Sequence, residues 1–269
     1  MTHGTRTKGA TERLRRLAAA LVACTLASPY SAAAMGDAGG PCRTLEHLSD
    51  RYTVCTFDPS RHRIALHLRD GDGEPYGSIA ALAASGVTFD FAMNGGMYRD
   101  DLSPVGLYVE NGERETSLST RDGWGNFHLL PNGVFHVSEG ADGSQRFGVT
   151  ETLAFDRSPP ADLLHATQSG PMLVIDGQLH PRFLPRSDSL KIRNGVGVTA
   201  DGTTHFAISH GRVRFHDFGT LFRDVLETPN ALFLDGTISA FRAGHRRQGG
   251  WRAIGPIITA SPIEPSSDG

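Results

Sequence analysis

Several catalytic signatures are missing from this sequence of 269 residues. It has no HExxH zinc motif, no phosphate-binding P-loop and no GxSxG nucleophile elbow, so the enzyme classes built on those motifs are excluded. The segment Gly195 to Ala200 matches the dinucleotide pattern GxGxxA by letter. A polar segment precedes it and an Asp-Gly turn follows, so no helix start is available to hold a pyrophosphate. We interpret this segment as a glycine-bearing strand.

Long runs of one charge and long apolar runs are lacking beyond the first 34 residues. The 26 basic and 29 acidic residues are interspersed, which excludes an extended nucleic-acid surface. No apolar stretch in the mature chain approaches the length that spans a membrane. The 12 histidines show no metal-ligand spacing, so the sequence predicts no metal cofactor, although a structural calcium ion stays compatible with it.

The N-terminus has the three parts of an export signal. Basic residues lie between Arg6 and Arg16, a short apolar run covers Leu17 to Ala27, and small residues occupy Ser31 to Ala34. This order predicts a signal peptide over residues 1–34 and a periplasmic or secreted protein. Leu21 to Cys24 also fits a lipoprotein-processing box, and a lipid anchor on Cys24 is the alternative that we favour less.

The chain has only three cysteines. The signal contains Cys24, which leaves Cys42 and Cys55 in the mature protein. Outside the cytoplasm two such cysteines predict a disulfide, and two buried free thiols are the alternative. In the chain-entropy model this cross-link contributes about 3 kcal/mol.

Hairpin signals dominate the rest of the sequence. Asx-Gly pairs between β-type runs occur at Asn111-Gly112, Asp176-Gly177 and Asp201-Gly202, and Asn126–Leu130 pairs with Val134–Val137 across Pro131-Asn132-Gly133 in the same way. Helical spacing is confined to Ser78–Ala84 and Phe218–Leu226, with a short helix expected within 158–168. The fold class is therefore α+β: one domain over 40–260 with a largely antiparallel, hairpin-rich β core and a few flanking helices, followed by a flexible tail over 261–269.

Four short segments place polar side chains and glycines beside an apolar run. Glycine lets the main chain approach a ligand, and a polar side chain at a strand end can point into a cleft while the strand stays rigid. Each segment alone is as well explained by an ordinary turn, but the four together indicate a site. They are Phe91–Tyr98, Ala166–Leu173, Ile192–Gly197 and Ala231–Ser239.

These motifs resemble the bacterial phosphodiester glycosidase family, which is related to the lysosomal enzyme that removes N-acetylglucosamine from a phosphodiester on mannose 6-phosphate. The resemblance runs from about Cys42 to Pro256. Relatives often carry Asp-Gly-Gly and two serines where this chain has Asp235 to Ser239, so the substrate of the lysosomal enzyme is not carried over. The motifs that carry the resemblance are Asn94–Tyr98, Pro104–Leu107, Gly125–Phe127, Gln168–Pro171, Arg193–Gly197 and Leu234–Gly236.

The resemblance implies a hydrolase that cleaves a sugar-1-phosphodiester at the anomeric carbon. A phosphate monoester is an acidic leaving group, so a pair of catalytic carboxylates is not required. We expect Arg193 to hold the phosphate and Asp235 to act as general base or nucleophile. His128 and His210 are candidates for proton transfer, although packing or surface histidines are the more common case. The expected substrate-binding residues are Asn94, Gly95, Gly96, Gln168, Ser169, Gly170, Asn194 and Gly236.

Two other functions fit the same residues. A metal-assisted phosphodiesterase would attack phosphorus, but the motifs offer one aspartate and several amides, which is a poor set of metal ligands. A non-catalytic glycan-binding protein of the envelope would present exposed aromatic residues, and Trp124 or Tyr98 could stack on a sugar. In the hydrolase reading the partner is a glycan or cell-envelope polymer with glycosyl-phosphate links.

Overall fold

The computed structural model describes residues 40–236 and 238–264. Three α-helices are present there: α1 (Ile79–Ala84), α2 (Thr152–Arg157) and α3 (Phe215–Thr220), the last continued by a π-helical turn over Leu221–Val225. The strands are β1 (Cys42–His47), β2 (Asp50–Phe57), β3 (His62–His67), β4 (Phe91–Asn94), β5 (Tyr108–Glu110), β6 (Glu113–Thr116), β7 (Gly133–Glu139), β8 (Gln145–Glu151), β9 (Leu163–Ser169), β10 (Met172–Ile175), β11 (Gln178–Leu179), β12 (Asn194–Val198), β13 (Thr204–Ser209), β14 (Asn230–Phe233), β15 (Phe241–Ala243), β16 (Arg246–Gln248) and β17 (Ile257–Pro262).

The strands form three antiparallel sheets. Their orders are β1-β2-β13-β12-β14-β10-β11, β16-β15-β4-β17-β3 and β6-β5-β9-β7-β8. One apolar cluster takes side chains from all three sheets, including Phe206, Phe91 and Phe135. A second cluster buries the other face of the seven-stranded sheet under α3, around Phe218 and Phe222. The predicted α+β class with an antiparallel, hairpin-rich core is confirmed.

Two of the predicted Asx-Gly turns have the expected backbone. Asn111 and Gly112 have φ of 51° and 80°, and Asp176 and Gly177 have φ of 46° and 77°. Two successive positive φ values suit the right-handed twist of the strands that such turns join. The first turn joins β5 to β6 and the second joins β10 to β11.

The predicted disulfide is confirmed. Cys42 and Cys55 are directly opposite on β1 and β2, and their sulfurs are bonded. Both side chains are buried in the first apolar cluster. The cross-link therefore fastens the edge strand β1 to the rest of the seven-stranded sheet.

The helix predictions met different outcomes. Helix α1 begins as expected, because the Ser78 hydroxyl accepts a hydrogen bond from the Ala81 N–H. The helix expected over Phe218–Leu226 exists as the second half of α3 and its π-helical turn. The helix expected within 158–168 is wrong: α2 ends just before Pro159-Pro160, and Leu163–Ser169 is strand β9, paired on both sides. Residues 126–130 are irregular rather than a strand.

Some predictions fall at the chain ends. The predicted signal peptide, with Cys24, lies outside the described residues. Strand β17 continues through Pro262, two residues into the predicted tail, while residues 265–269 are not described. Within 40–236 and 238–264, no helix is both long and apolar enough to cross a membrane.

Candidate active site

Two buried asparagines from different sheets meet in the middle of the molecule. Asn94 ends β4 and Asn194 begins β12, and both side chains are fully buried. The Nδ2 of Asn194 donates to the Oδ1 of Asn94 at 2.8 Å. The Oδ1 of Asn194 accepts from the Asp235 N–H at 2.9 Å, and that of Asn94 accepts from the Ala240 N–H at 2.9 Å. The pair therefore holds both ends of segment 235–240, which follows β14.

The end of β9 is fastened to the same segment. The hydroxyl of Ser169, itself fully buried, donates to the main-chain oxygen of Leu234 at 2.6 Å. Two residues before Ser169 on β9, the Oγ1 of Thr167 accepts a hydrogen bond from the Gly96 N–H at 3.1 Å. The Gly95 N–H donates to the Pro256 main-chain oxygen at 2.7 Å. The first three predicted segments thus meet the fourth: Asn194 bonds Asp235 itself, Ser169 bonds Leu234, and Asn94 bonds Ala240.

Gln168 and Gly170 contact the surrounding loops. The Oε1 of Gln168 accepts from the N–H groups of Leu107 and Ser119, and its Nε2 donates to the Ser119 oxygen and to Thr152. Its side chain is 1% exposed. A Cβ on Gly170 would lie 2.6 Å from that of Asn132, so only glycine fits there. The structure places both residues in packing contacts rather than on an open surface.

Arg193 lies directly before β12, and its side chain has different partners from that of its neighbour Asn194. Its guanidinium lies 3.4 Å from the centre of the Phe215 ring and donates to the main-chain oxygens of Val213 and Ser189, at 2.9 and 3.0 Å. The residue is 1% exposed, and burial lowers its pKa to about 10. The guanidinium does not reach an open surface here, so its position gives no support to the predicted contact with phosphate.

A cleft of about 300 Å³ opens beside Asp235. Gly236, Ile238 and Ser239 form one wall, and Gln248 to Arg252 form another. The remaining wall contains Lys191, Ile192 and Arg212. Three of the described lining residues are cationic and none is acidic, although the whole chain has a formal net charge of −3. Such a cleft attracts anions.

The Tyr98 phenol lies near both Asp235 and Arg252, one of these cations. The Tyr98 hydroxyl donates to the main-chain oxygen of Ala253 at 2.9 Å, and its ring packs against Gly255. Burial and the nearby Asp235 carboxylate raise the pKa of Tyr98, while Arg252 opposes that shift. Asp235 and Arg252 therefore both lie within electrostatic reach of one phenol, at the edge of the cleft.

The two candidate histidines lie elsewhere. The Nδ1 of His128 is 2.9 Å from the Arg121 main-chain oxygen, and the Nε2 of His210 is 2.9 Å from the Thr53 hydroxyl. Neither is among the described residues that line the cleft. Burial, with Arg51 and Arg246 nearby, lowers the pKa of His210. The described contacts of the two histidines therefore join them to Arg121 and Thr53 and not to the lining of the cleft.

The model of the phosphodiester glycosidase family matches residues 88–258, which include the two asparagines, Asp235 and every described residue of the cleft. The chain belongs to the phosphodiester glycosidase family. It is also 37% identical over 187 residues to "Uncharacterized protein YigE" of Escherichia coli, a match that covers 68% of this chain and 71% of that protein.

Two solved structures share the fold of this family member. The zebrafish N-acetylglucosamine-1-phosphodiester alpha-N-acetylglucosaminidase catalytic domain, auto-inhibited by its pro-peptide, superposes with a TM-score of 0.55 at 13% identity, covering 82% of this chain and 77% of that one. A putative exported protein of Burkholderia pseudomallei gives a TM-score of 0.56 at 12% identity, covering 82% and 74%. At these identities the likeness shows the fold alone.

The cations of the cleft in this phosphodiester glycosidase family member are not among the residues that the sequence predicts for the site. Lys191 lies two residues before the Arg193 motif, and Arg252 follows Gly249, Gly250 and Trp251. The signal available was a pair of glycines next to a tryptophan and an arginine, of which Trp251 is 76% exposed. Among the described residues, no three His, Cys, Asp or Glu side chains are grouped so that they could hold a metal ion.

Proposed function

We propose that this protein is an exported hydrolase that cleaves a sugar-1-phosphodiester at the anomeric carbon. The observation that carries the proposal is the fixed position of Asp235, whose N–H is held by a buried asparagine beside a cleft with three cations. Membership of the phosphodiester glycosidase family supports the reaction class. The substrate is a glycan or envelope polymer with glycosyl-phosphate links.

The cations of the cleft suit the phosphate better than Arg193 does. Lys191, Arg212 and Arg252 line it, and none of them forms an ion pair with a carboxylate in the described part of the chain. Two or three such groups can neutralise a phosphodiester and the charge that develops when it leaves. Arg193 supports the main chain near one of them instead. It bonds the main-chain oxygens of Ser189 and Val213, and Val213 pairs with Lys191.

In the proposed reaction the bond between the anomeric carbon and the phosphate oxygen breaks, and its electron pair leaves with the phosphate. A water oxygen becomes bonded to the anomeric carbon and loses one proton. Asp235 either accepts that proton as general base or first attacks the carbon itself, forming an ester that water then hydrolyses. The products are a free sugar and a phosphomonoester.

Asn94, Asn194 and Ser169 take a positioning role in this proposal. All three are fully buried and bonded to main-chain groups at the ends of segment 235–240 or just before it. Trp251 offers the apolar surface that a sugar ring needs, since it lines the cleft and is largely exposed. Trp124 is 98% exposed but lies outside the described lining of the cleft.

The reaction is tested by incubating the purified protein with a synthetic glycosyl phosphodiester in oxygen-18 water. We expect label in the released sugar and none in the phosphomonoester. Asp235→Asn keeps the N–H that Asn194 binds, so it should fold normally and lose nearly all turnover. Label in the phosphate would mean attack at phosphorus, and full activity of Asp235→Asn would remove the aspartate from the mechanism. Binding without turnover by the wild type on every anomeric phosphodiester tested would favour a glycan-binding protein.

Export is supported by the N-terminal signal pattern and by the disulfide. A cross-link between Cys42 and Cys55 persists in an oxidising compartment. Mass spectrometry of the protein from fractionated cells should find an N-terminus near residue 35 in the periplasm or medium. A lipid-modified Cys24 in the membrane fraction would support the lipoprotein alternative, and an intact N-terminus in the cytoplasm would refute export.

A further inference from the structure

A second cleft lies on the other side of segment 248–252. It has a volume of about 280 Å³ and shares Gln248, Gly249, Gly250 and Arg252 with the first cleft. Arg242 and Arg247 line it as well, and none of its described lining residues is acidic. Together the linings of the two clefts contain five cations: Lys191, Arg212, Arg252, Arg247 and Arg242.

Arg242 and Arg247 are directly opposite each other on the hairpin of β15 and β16. Directly opposed side chains share one face of a sheet, and like charges in that arrangement destabilise the pair. The Arg242 guanidinium lies 5.6 Å from the Phe89 ring, and neither arginine forms an ion pair with a described carboxylate. In the part of the chain that the structure describes, no carboxylate pairs with either arginine to offset this repulsion, whereas an anionic ligand would offset it.

The segment between the clefts contains two consecutive glycines, Gly249 and Gly250. Gly249 and Gly250 have φ of 69° and 83°, and a Cβ on Gly249 would fall 1.8 Å from the main-chain oxygen of Ser239. Glycine is therefore needed for this segment to lie close against Ser239. The side chain of Gln248 is held by the Ser209 main-chain oxygen at 2.8 Å. No side chain rises from the two glycines to separate the clefts.

We propose that the second cleft is an anion-binding subsite, and that the two clefts bind successive phosphates of one polyanionic chain. This proposal rests on the proposed function and narrows its substrate to a polymer with repeated phosphodiester links. The first cleft holds the link that is cleaved beside Asp235. Arg242 and Arg247 hold a neighbouring phosphate of the same chain, and Arg252 is shared between them.

The test is a calorimetric titration of the protein in its proposed exported form, without the signal peptide, with two probes: inorganic phosphate and short-chain inorganic polyphosphate. We expect the wild type to prefer polyphosphate, and the double variant Arg242→Ala/Arg247→Ala to lose about tenfold or more of that preference, because charge-assisted contacts are lost. Arg157→Ala removes an exposed arginine of α2 and serves as the matched control, with an unchanged preference.

Two results would overturn the proposal: equal affinity of the wild type for both probes, or an unchanged polyphosphate preference in the double variant. The single variant Arg247→Gln, with a thermal melt, guards against misfolding, since removing one of two opposed charges should not lower the melting temperature. Binding of these probes needs no turnover. An inactive wild type that still shows the arginine-dependent preference would therefore refute the proposed function and leave the subsite standing.

Discussion

Replacing Asn194 with alanine tests the central structural argument, that buried amides hold Asp235 in place. The substitution leaves the Asp235 N–H without its acceptor and breaks the 2.8 Å bond to Asn94. An unpaired buried donor costs about 1–3 kcal/mol, and the lost bond between the amides adds about 1 kcal/mol. We therefore expect the free energy of unfolding to fall by about 2–4 kcal/mol, measured by urea denaturation followed by circular dichroism.

Asn94→Ala completes the comparison, because it breaks the same bond between amides and frees the Ala240 N–H. The shared bond is lost only once in the double variant. Its destabilisation should therefore be smaller than the sum of the two single effects by about 1 kcal/mol. Asn126→Ala, at an exposed asparagine, should change stability by less than about 0.5 kcal/mol and serves as the control.

Turnover gives a second, independent measurement for the same variants. A residue that positions Asp235 without touching the substrate should lower kcat far more than it raises KM. A rise in KM alone would instead place Asn194 in contact with the sugar or phosphate, as the sequence first suggested. Strictly additive stability effects, or a loss below about 0.5 kcal/mol for Asn194→Ala, would refute the reasoning.

Reduction of the Cys42–Cys55 bond, whose cysteines are 13 residues apart, should lower the free energy of unfolding by about 3 kcal/mol, and a Cys42→Ser/Cys55→Ser variant that is insensitive to dithiothreitol is the control. Burial and the neighbouring His67 lower the pKa of His165 to about 4. As pH falls, His165 therefore takes up a proton in the unfolded chain first, at about pH 6.5. The stability that comes from keeping His165 neutral in the fold is lost as pH falls from about 6.5 toward 4, with a slope of about 1.4 kcal/mol per pH unit. A His165→Gln variant with an unchanged slope would contradict this prediction. Trp251→Ala should raise KM for a sugar phosphodiester several-fold while Trp124→Ala does not, and equal effects would argue against stacking in the cleft.

Much of the fold could be predicted because its signals are local. The turns at Asn111-Gly112 and Asp176-Gly177 depend only on residues that tolerate positive φ, and their strands follow from the apolar runs beside them. The helix expected within 158–168 is wrong because a proline pair can follow a helix as well as start one. Here the two prolines follow α2, and the apolar run that comes next pairs on both sides as β9.

The sequence predicts which segments form the site, but it does not predict which way their side chains point. Arg193 directly precedes Asn194, the first residue of β12. Consecutive residues of an extended chain point to opposite faces. The sequence shows that both are polar but not which face meets segment 235–240. In the structure Asn194 faces it, while Arg193 lies against Phe215 under the second apolar cluster. The guanidinium that the sequence predicts to bind phosphate is thus buried, and it bonds the main chain at Val213 and Ser189.

The separation between buried amides and exposed cations also bears on how specificity can vary in this fold. Asn94, Asn194 and Ser169 bond main-chain groups, so their task is the same whatever the substrate. Lys191, Arg212 and Arg252 reach the cleft from exposed positions, where a substitution costs the fold little. Under the proposed function, the buried amides would keep the position of Asp235 while exchanges along the cleft alter which substrate is accepted. The Asn194 and Arg242/Arg247 variants would separate these two effects in a single protein.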